Sequence, residues 1–452
     1  MNISKTDEHA FGIKKILFLQ GLVKKTLDVM KLKISNLGPI DSMVIDMSKP
    51  FILFAGDNST GKTYATTYLY TLIRFLSAFY YGSQKLSIGK SYENIIDGDL
   101  DADELYDSLD DCLKNRQNDI LEYMNLNIQT DSFKCAIVTS KKEWKEELLK
   151  KSVSVWSDGI VKKANSFEYH IKLYAKGESF QSFMQSFLII SLFFDGIIGA
   201  KMFTAERSGI YTFSKELSVG RLRNPEEQLN ARYPRPIADG LADAADLSNK
   251  TRLAFNNGNF ADEIERIILH GDLTVSEEGE VLYHVSENNE LGFNESSSAI
   301  KTLAPLVFYL RHSAGQFNLL FVDEPELNLH PKNQILLAKI FVKMINAGLR
   351  LVISTHSDYI IREINNMIMA DGLNNAGDKI ITNMGYDESL CLAQDKFSPY
   401  LFEKNAKGKV KVTLLEVDRY GFNMPSIDDA IDKQNEVTDT FYEVLKYDHP
   451  NE

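Results

Sequence analysis

The feature that most constrains this 452-residue chain is a glycine-rich octapeptide in its first hundred residues. Residues 56–63 have the sequence GDNSTGKT, which matches the pattern G-x-x-x-x-G-K-[ST] at every position. The apolar segment Phe51–Ala55 precedes it, and Thr63–Ala78 has the pattern of a long helix. Glycines let backbone N–H groups turn towards phosphate oxygens, and a helix N-terminus adds a partial positive charge. The pattern therefore predicts a strand, a phosphate-binding loop and a helix in succession.

All eight residues of this loop are candidates for nucleotide binding. Lys62 can reach the β- and γ-phosphates in a catalytic role, and the Thr63 hydroxyl can bind Mg²⁺. ATP and Mg²⁺ are the expected ligands. The candidate residues are Gly56, Asp57, Asn58, Ser59, Thr60, Gly61, Lys62 and Thr63.

A second motif, LLFVDEPELNLHP, occupies residues 319–331. Leu319–Val322 predicts a buried strand with Asp323 at its end, where a carboxylate can hold Mg²⁺. Glu324 follows directly and faces the other way, placed to activate the attacking water as a general base. An apolar strand that ends in Asp-Glu is common, but downstream of a complete phosphate loop it indicates a nucleotide site.

His356 ends another apolar strand, in the segment LVISTHS. A lone histidine at a strand end is often only a capping or packing residue. Here it lies 32 residues after Glu324, with one predicted helix over 332–347 between them. That spacing predicts the next strand of a parallel sheet and favours a catalytic position beside the γ-phosphate.

Three consecutive serines precede a predicted helix at 300–312. Ser296, Ser297 and Ser298 offer hydroxyl groups and free N–H groups to an anion at the start of that helix. Simple N-capping is the competing interpretation, because serine is a preferred cap residue. The serines come just before the Asp-Glu strand, and this position favours phosphate binding.

Together, GDNSTGKT, ESSSAIK, LLFVDEPELNLHP and STHSD resemble the ABC ATPase superfamily, and more closely its non-transporter branch of OLD-, RecF- and SMC-type heads. The tail EPELNLHP is typical of that branch, as is ESSSAIK in place of the transporter signature LSGGQ. The resemblance covers roughly residues 31–75 and 200–370. It implies an α/β P-loop NTPase fold, with an ABC-type ATPase head, an antiparallel β subdomain and helical insertions.

The resemblance also implies an ATPase that works as a head-to-head homodimer or a higher homo-oligomer. In this family one subunit's phosphate loop holds ATP while the other subunit's signature serines close over the γ-phosphate. Ser296 and Ser298 would then act in trans. The segment 203–209 (FTAERSG) is similar to a strand-end segment of bacterial OLD-like ATPases, which implies a place near the γ-phosphate. An ordinary Glu–Arg ion pair is the alternative there.

The order of patterns along the chain predicts a head interrupted by insertions. Strands are expected at 31–37, 43–47, 51–55, 133–140 and 167–175, a hairpin around Glu278-Gly279, and a buried helix over 183–200. The acidic segment 97–111 lacks the spacing of an EF-hand and predicts a solvated loop or helix face.

The predicted regions are an extension (1–29), the first part of the head (30–85), a β/helical insertion (86–200), a helical lid-like insertion (201–272), the second part of the head (273–372), and a C-terminal hairpin and helix (373–452).

Composition bears on the partners and the cellular location of the protein. The net charge of −13 does not indicate nucleic-acid binding, although a local basic patch remains compatible with it. The three cysteines are far apart and match no metal spacing, which suits a reducing cytoplasm. No targeting segment or membrane span is expected, so we predict a cytoplasmic protein.

Two features of known subfamilies are missing from this sequence, and their absence distinguishes between the subfamilies. SMC-type proteins need a long coiled coil between the phosphate loop and the signature, and no sustained heptad pattern is present there. OLD nucleases have a Toprim domain after the histidine strand, and the 96 residues that follow His356 (452 − 356) show no Toprim pattern. The chain therefore resembles the stand-alone ATPase subunits of bacterial anti-phage systems such as PARIS and Septu.

That resemblance implies an ATP-dependent sensor or scaffold that controls a separate effector protein, a nuclease, encoded nearby. A DNA-repair ATPase of the RecF type, which binds DNA directly, is the alternative. An energy-coupling subunit of a membrane transporter is a further alternative, which the missing LSGGQ opposes.

Overall fold

The structure is a computed structural model, and it describes most of the chain from residue 30 onwards. The described residues are 30–82, 94–126, 132–150, 160–162, 166–173, 197, 199–213, 233–245, 247, 258–276, 279–286, 289–315, 318–375 and 380–448. The predicted extension over 1–29 lies outside them.

Strands alternate with helices through most of this range. The strands are β1 (Lys31–Leu37), β2 (Ile40–Asp46), β3 (Phe51–Gly56), β4 (Asn94–Asp101), β5 (Lys134–Ile137), β6 (Ile160–Lys162), β7 (Ser166–Leu173), β8 (Gly199–Phe203), β9 (Asp272–Val275), β10 (Val281–Ser286), β11 (Asn289–Gly292), β12 (Asn318–Asp323), β13 (Arg350–Thr355), β14 (Phe397–Lys404) and β15 (Val410–Leu414). The α-helices are α1 (Lys62–Gly82), α2 (Ala102–Asn115), α3 (Gln117–Met124), α4 (Lys141–Lys150), α5 (Arg207–Thr212), α6 (Arg235–Ala245), α7 (Gly258–Ile264), α8 (Ser298–His312), α9 (Pro331–Asn346), α10 (Asp358–Asn375), α11 (Ile380–Asn383) and α12 (Pro425–Asp448).

A nine-stranded mixed sheet organises the described part of the chain, in the order β5-β1-β2-β15-β14-β3-β13-β12-β8. Its five strands from β14 to β8 are parallel to one another. At the other end, β1 pairs antiparallel with both β2 and β5. The α/β class and the antiparallel β part that the sequence predicts are therefore confirmed.

Alternation along β3 explains how this sheet lies between two cores. Phe51, Leu53 and Ala55 face a cluster of side chains that includes those of α8, α9 and α10. Ile52 and Phe54 face a second cluster, with α1 and the antiparallel strands β1 and β2. Every residue of β3 is buried, as expected for a central strand covered on both faces. The layered packing holds the carboxyl end of β3 in place.

Several local predictions are confirmed, including the strands around 31–37, 43–47 and 51–55 and the helix that follows the phosphate loop. β5 and β7 are antiparallel strands, and β9 and β10 form the hairpin around Gly279. The expectation of a solvated loop or helix face for the acidic segment 97–111 is wrong in its first part: residues 97–101 belong to strand β4, and the rest lie in α2.

One helix and one region boundary expected from the sequence differ from the structure, and the expected C-terminal hairpin has an unexpected position. The helix predicted over 183–200 lies mostly outside the described residues, and its last two positions begin strand β8. β8 pairs with β12, so the boundary between 200 and 201 cuts through a strand of the parallel core. The hairpin predicted after residue 372 is formed by β14 and β15, which sit inside the sheet between β3 and β2. Sequence order hides this because β14 pairs with a strand more than 300 residues earlier.

The last helix differs from the rest of the molecule in its exposure. Residues 432–446 of α12 are exposed throughout, including Val437, Phe441, Tyr442, Val444 and Leu445. By contrast, Phe422 and Met424, just before α12, are buried in the core. Among the described residues, no helix is long and apolar enough to cross a membrane.

Two truncations test the placement of the last strands. Ending the chain after Met424 removes only α12 and should leave the melting temperature within about 3 °C of the full chain, because exposed segments contribute little to stability. Ending it after Lys396 also removes β14, whose Phe397, Tyr400 and Phe402 are buried. This should abolish cooperative unfolding, measured by circular dichroism. Cooperative unfolding of the shorter chain would show that the sheet does not depend on β14.

Candidate active site

Three parallel strands bring the sequence motifs to one edge of the sheet. β3 ends at Gly56, β12 at Asp323 and β13 at Thr355. The strands β3, β13 and β12 are consecutive neighbours, with Ser354 of β13 paired with Asp323 of β12 on one side. On the other side Thr355 pairs with Ala55 of β3. Residues far apart in sequence therefore meet because the carboxyl ends of parallel strands share an edge.

The phosphate loop has the backbone shape that its glycines predict. Gly56 has φ +137°, and a Cβ atom there would lie 2.3 Å from the carbonyl oxygen of Phe402 in β14. Gly61 has φ +90°, a conformation that L side chains rarely adopt. Asp57, Asn58 and Ser59, between these two turns, are exposed. The loop is thus pressed against the sheet at its glycines and open to solvent between them.

Lys62 begins α1 and folds its side chain back under this loop. Its Nζ donates to the carbonyl oxygens of Gly56 (2.9 Å) and Asp57 (2.8 Å). Burial lowers the pKa of Lys62 to about 8, although the nearby carboxylates, of which Asp323 has the largest effect, act to raise it. The ammonium group is therefore a preformed cation beneath an exposed loop, which suits a phosphate ligand.

Thr63 and Asp323 bring two side-chain oxygen atoms together. The Thr63 hydroxyl donates to Oδ2 of Asp323 at 3.0 Å, and the Ser354 hydroxyl donates to Oδ1. Burial raises the pKa of Asp323, and the two hydroxyl donors oppose that effect. Mg²⁺ prefers one or two protein oxygens together with phosphate oxygens. The Thr63–Asp323 pair fits this preference. Among the described residues no cluster of three or more His, Cys, Asp or Glu side chains could hold a metal.

Glu324 has an unusual backbone at the end of β12. Its φ of +48° lies in the left-handed region, which costs a glutamate roughly 1–2 kcal/mol. Its N–H donates to the carbonyl oxygen of Ser354 at 2.9 Å, and its own carbonyl oxygen accepts from Arg207 Nη2 at 2.8 Å. The side chain is only partly buried, unlike that of Asp323. The turn in the backbone therefore separates the buried carboxylate of Asp323 from the more accessible carboxylate of Glu324.

His356 lies directly after β13 and is partly buried. Burial lowers the pKa of its imidazole, and the positive charge of Lys62 lowers it further. The ring is thus favoured in its neutral form at neutral pH, in which one nitrogen donates and the other accepts. The ring also bonds to the backbone of Gly56, so a neutral ring donates to a phosphate oxygen only when that bond is released.

Glu326 is a residue that the sequence analysis did not single out. Its carboxylate accepts hydrogen bonds from the backbone N–H of His356 (2.7 Å) and from the Thr355 hydroxyl (2.8 Å). Burial raises its pKa, and these two donors oppose the shift. Glu326 therefore ties the β12 segment to the start of the histidine segment. The only feature of the sequence that could have pointed to Glu326 is its position two residues after Glu324.

The three signature serines have different environments. Ser296 is buried, and its hydroxyl donates to the carbonyl oxygen of Gly292 at 3.1 Å. Ser297 is the N-cap of α8 and accepts from the N–H of Ile300. Ser297 and Ser298 are both exposed. The hydroxyl of Ser296 is thus used within its own chain, while Ser298 stands exposed at a helix N-terminus.

Arg207, in the segment 203–209, lies against the main chain of the Asp-Glu strand. Its guanidinium donates to the carbonyl oxygens of Thr204 (3.1 Å), Asp323 (2.7 Å), Glu324 (2.8 Å) and Thr302 (3.1 Å). The side chain is 3% exposed. The sequence left an ordinary Glu–Arg ion pair as the alternative for this segment. In the structure the guanidinium of Arg207 instead binds main-chain carbonyl groups.

A known protein family matches the part of the chain that contains most of these motifs. A protein family described as "AAA ATPase domain" matches residues 226–361. The matched range includes the serine segment, the Asp-Glu strand and His356, and it leaves out the phosphate loop. No curated protein matches the chain.

Distant structural resemblances are to heads of SMC proteins. They include an SMC head bound to the C-terminal winged-helix domain of ScpA (11% identity, 86% of this chain and 98% of that chain, TM-score 0.37). The SMC head domain from Thermotoga maritima shows 9% identity (86% and 100%, TM-score 0.33). An SMC head with an extended coiled coil, bound to the C-terminal domain of ScpA derived from Pyrococcus furiosus, shows 11% identity (91% and 99%, TM-score 0.34). Scores this low have no bearing on function.

The phosphate loop, the Asp-Glu strand and the family match together support an ATPase of the AAA/ABC type. ATP, together with Mg²⁺, is the ligand that this class implies.

Two substitutions at Glu326 test its bridging role. Glu326→Ala leaves the N–H of His356 without its acceptor and should lower the free energy of unfolding by about 1–3 kcal/mol. Glu326→Gln keeps an acceptor for that N–H and an amide donor for the Thr355 hydroxyl, so its loss should be below about 1 kcal/mol. Urea unfolding measures both, with the exposed Glu403→Ala as control. Equal losses in both variants would refute the hydrogen-bond explanation.

Proposed function

We propose that this protein hydrolyses ATP at a site that two copies of the chain complete together. The observation that best supports this is the convergence of Lys62, Thr63, Asp323 and Glu324 at the edge of one sheet. Each side chain there has a separate chemical task.

The chain's own residues divide the work of phosphoryl transfer. Lys62 and the exposed loop amides bind the β- and γ-phosphates. Thr63 and Asp323 hold Mg²⁺, which supplies charge neutralisation to the phosphate oxygens when bound. Glu324 accepts a proton from the attacking water, and His356 donates a hydrogen bond to the γ-phosphate.

The second copy contributes the serine segment. The N-terminus of α8 presents the exposed residues Ser297 and Ser298, and a helix N-terminus favours an anion. Since the Ser296 hydroxyl is bonded to Gly292, we assign the contact across the dimer to Ser298 and to backbone amides. ATP would then join two subunits, and hydrolysis would release them.

A mixture of two inactive variants tests the shared site. Lys62→Ala should lose nucleotide binding, and Ser298→Arg should block the serine segment. A mixed dimer has one site with both defects and one site with none. Random pairing makes about half of the dimers mixed, so roughly a quarter of wild-type ATPase activity should return on mixing. Native mass spectrometry confirms subunit exchange. A mixture that exchanges but stays as inactive as its components would show that the serines are an ordinary helix cap.

The wider role we propose is control of a separate effector, a nuclease, in bacterial anti-phage defence. Support for it comes from the motifs, which resemble those of stand-alone OLD-like ATPase subunits. The net charge of −13 favours a protein partner over direct coating of DNA.

Phage plating on the native host tests this role. Deleting the gene should raise plaque numbers for at least one phage, and the wild-type gene should restore protection. Lys62→Ala should not restore it, because the defence depends on ATP binding, whereas the exposed control Lys404→Ala should. Survival after DNA damage is measured in the same strains. Unchanged plating together with sensitivity to damage would favour the RecF-like repair function and contradict the defence role.

A further inference from the structure

A fully buried arginine joins three elements around the catalytic strand. Arg207 begins α5, directly after β8, and uses its guanidinium to bind main-chain carbonyl groups from three places in the chain. Two of these carbonyls belong to Asp323 and Glu324, and a third belongs to Thr302 of α8. A guanidinium has five N–H donors in a fixed plane, so it holds several acceptors in one geometry.

The bond to Glu324 acts on a strained residue. Glu324 has φ +48°, and its peptide groups are held on both sides, the N–H by Ser354 and the carbonyl oxygen by Arg207. A backbone in a sparsely populated conformation persists only where its surroundings determine it strongly. Without Arg207 the carbonyl oxygen of Glu324 loses a charged donor, and the backbone is released to relax towards an ordinary φ. The carboxylate would then leave the position that the turn gives it.

The bond to Thr302 connects the same arginine to the serine segment. Thr302 lies four residues after Ser298, one turn into α8, and its carbonyl oxygen accepts from Arg207 Nε. A second bond runs in parallel: Asn328, four residues after Glu324, donates from Nδ2 to the Thr302 hydroxyl at 3.1 Å. The first turn of α8 is therefore bonded to the chain on both sides of the catalytic turn.

We infer that Arg207 is a positioning residue that couples the serine-bearing helix to the backbone of Glu324. A shift of α8 when its serines contact ATP would pass through Thr302 to Arg207, and from there to the carbonyl groups of Asp323 and Glu324. The site of a single copy would then reach full activity only when α8 is engaged. This inference rests on the proposed role of Glu324 as general base.

Arg207→Lys tests the coupling, with Arg350→Lys as a matched control. Lysine keeps the charge, but its three N–H donors share one nitrogen, which cannot reach the four carbonyl oxygens that the planar guanidinium spans. Arg350 is also buried and donates to main-chain carbonyl groups, those of Met47 and Ser48, at the amino end of β13 and not at the end that carries Asp323 and Glu324. Steady-state ATPase measurements should show kcat reduced at least about tenfold by Arg207→Lys, with KM changed by less than about threefold. Arg350→Lys should lower the melting temperature while leaving kcat within about twofold.

A double mutant separates positioning from a general loss of stability. In a Glu324→Gln background the base is already absent, so Arg207→Lys should lower the remaining turnover by less than about twofold. If the two losses instead multiply, Arg207 does not act through Glu324 and the inference is wrong. If Glu324→Gln alone keeps wild-type turnover, Glu324 is not the catalytic base. That outcome contradicts the proposed function itself and is distinguishable from a failure of the Arg207 inference.

Asn328→Gly provides a second test that does not depend on a buried arginine. Asn328 is exposed and has φ +61°, which glycine adopts freely, so this variant removes the amide bond to Thr302 without straining the backbone. It should lower kcat about threefold or more, with KM again nearly unchanged. If kcat stays at the wild-type value in both Asn328→Gly and a folded Arg207→Lys, the coupling is refuted.

Discussion

The parallel pairing of β3, β13 and β12 is the constraint on which the active site depends. Each strand contributes one motif at its carboxyl end, and the register sets Asp323 beside Ser354 and Ala55 beside Thr355. The hydrogen bond between Thr63 and Asp323, from residues 260 positions apart, follows from this register. A slip of one residue would reverse the faces of a strand buried on both sides, and the two cores prevent it.

The active site depends, second, on a balance of opposite charges at the carboxyl edge of these strands. Two buried cations, Lys62 and Arg207, lie among the carboxylates of Asp323, Glu324 and Glu326. Burial lowers the pKa of Lys62 to about 8 and that of Arg207 to about 10, and it raises the pKa of Asp323 and of Glu326. The neighbouring carboxylates oppose the shifts of Lys62 and Arg207. The cluster is thus held together by opposite charges and by hydrogen bonds to main-chain carbonyls.

The elements around the site link its parts into one unit. Glu326 fixes the start of the histidine segment, while Arg207 and Asn328 connect the catalytic turn to α8. Such links connect the first turns of α8 to the main chain of Asp323 and Glu324. Under the proposed function, ATP hydrolysis would depend on assembly, as suits a sensor that stays inactive until its subunits close.

The sequence alone determined the phosphate loop, the Asp-Glu strand and the histidine strand, because each is a short run whose glycines, apolar residues and polar ends act locally. The α/β class was implied by the family that these motifs resemble. Only the tertiary structure placed β14 between β2 and β3, since nothing local indicates which distant strand a strand will pair with. The same holds for Arg207, Glu326 and Asn328. Their partners are main-chain groups or residues of other segments, and folding alone brings those groups within hydrogen-bond distance.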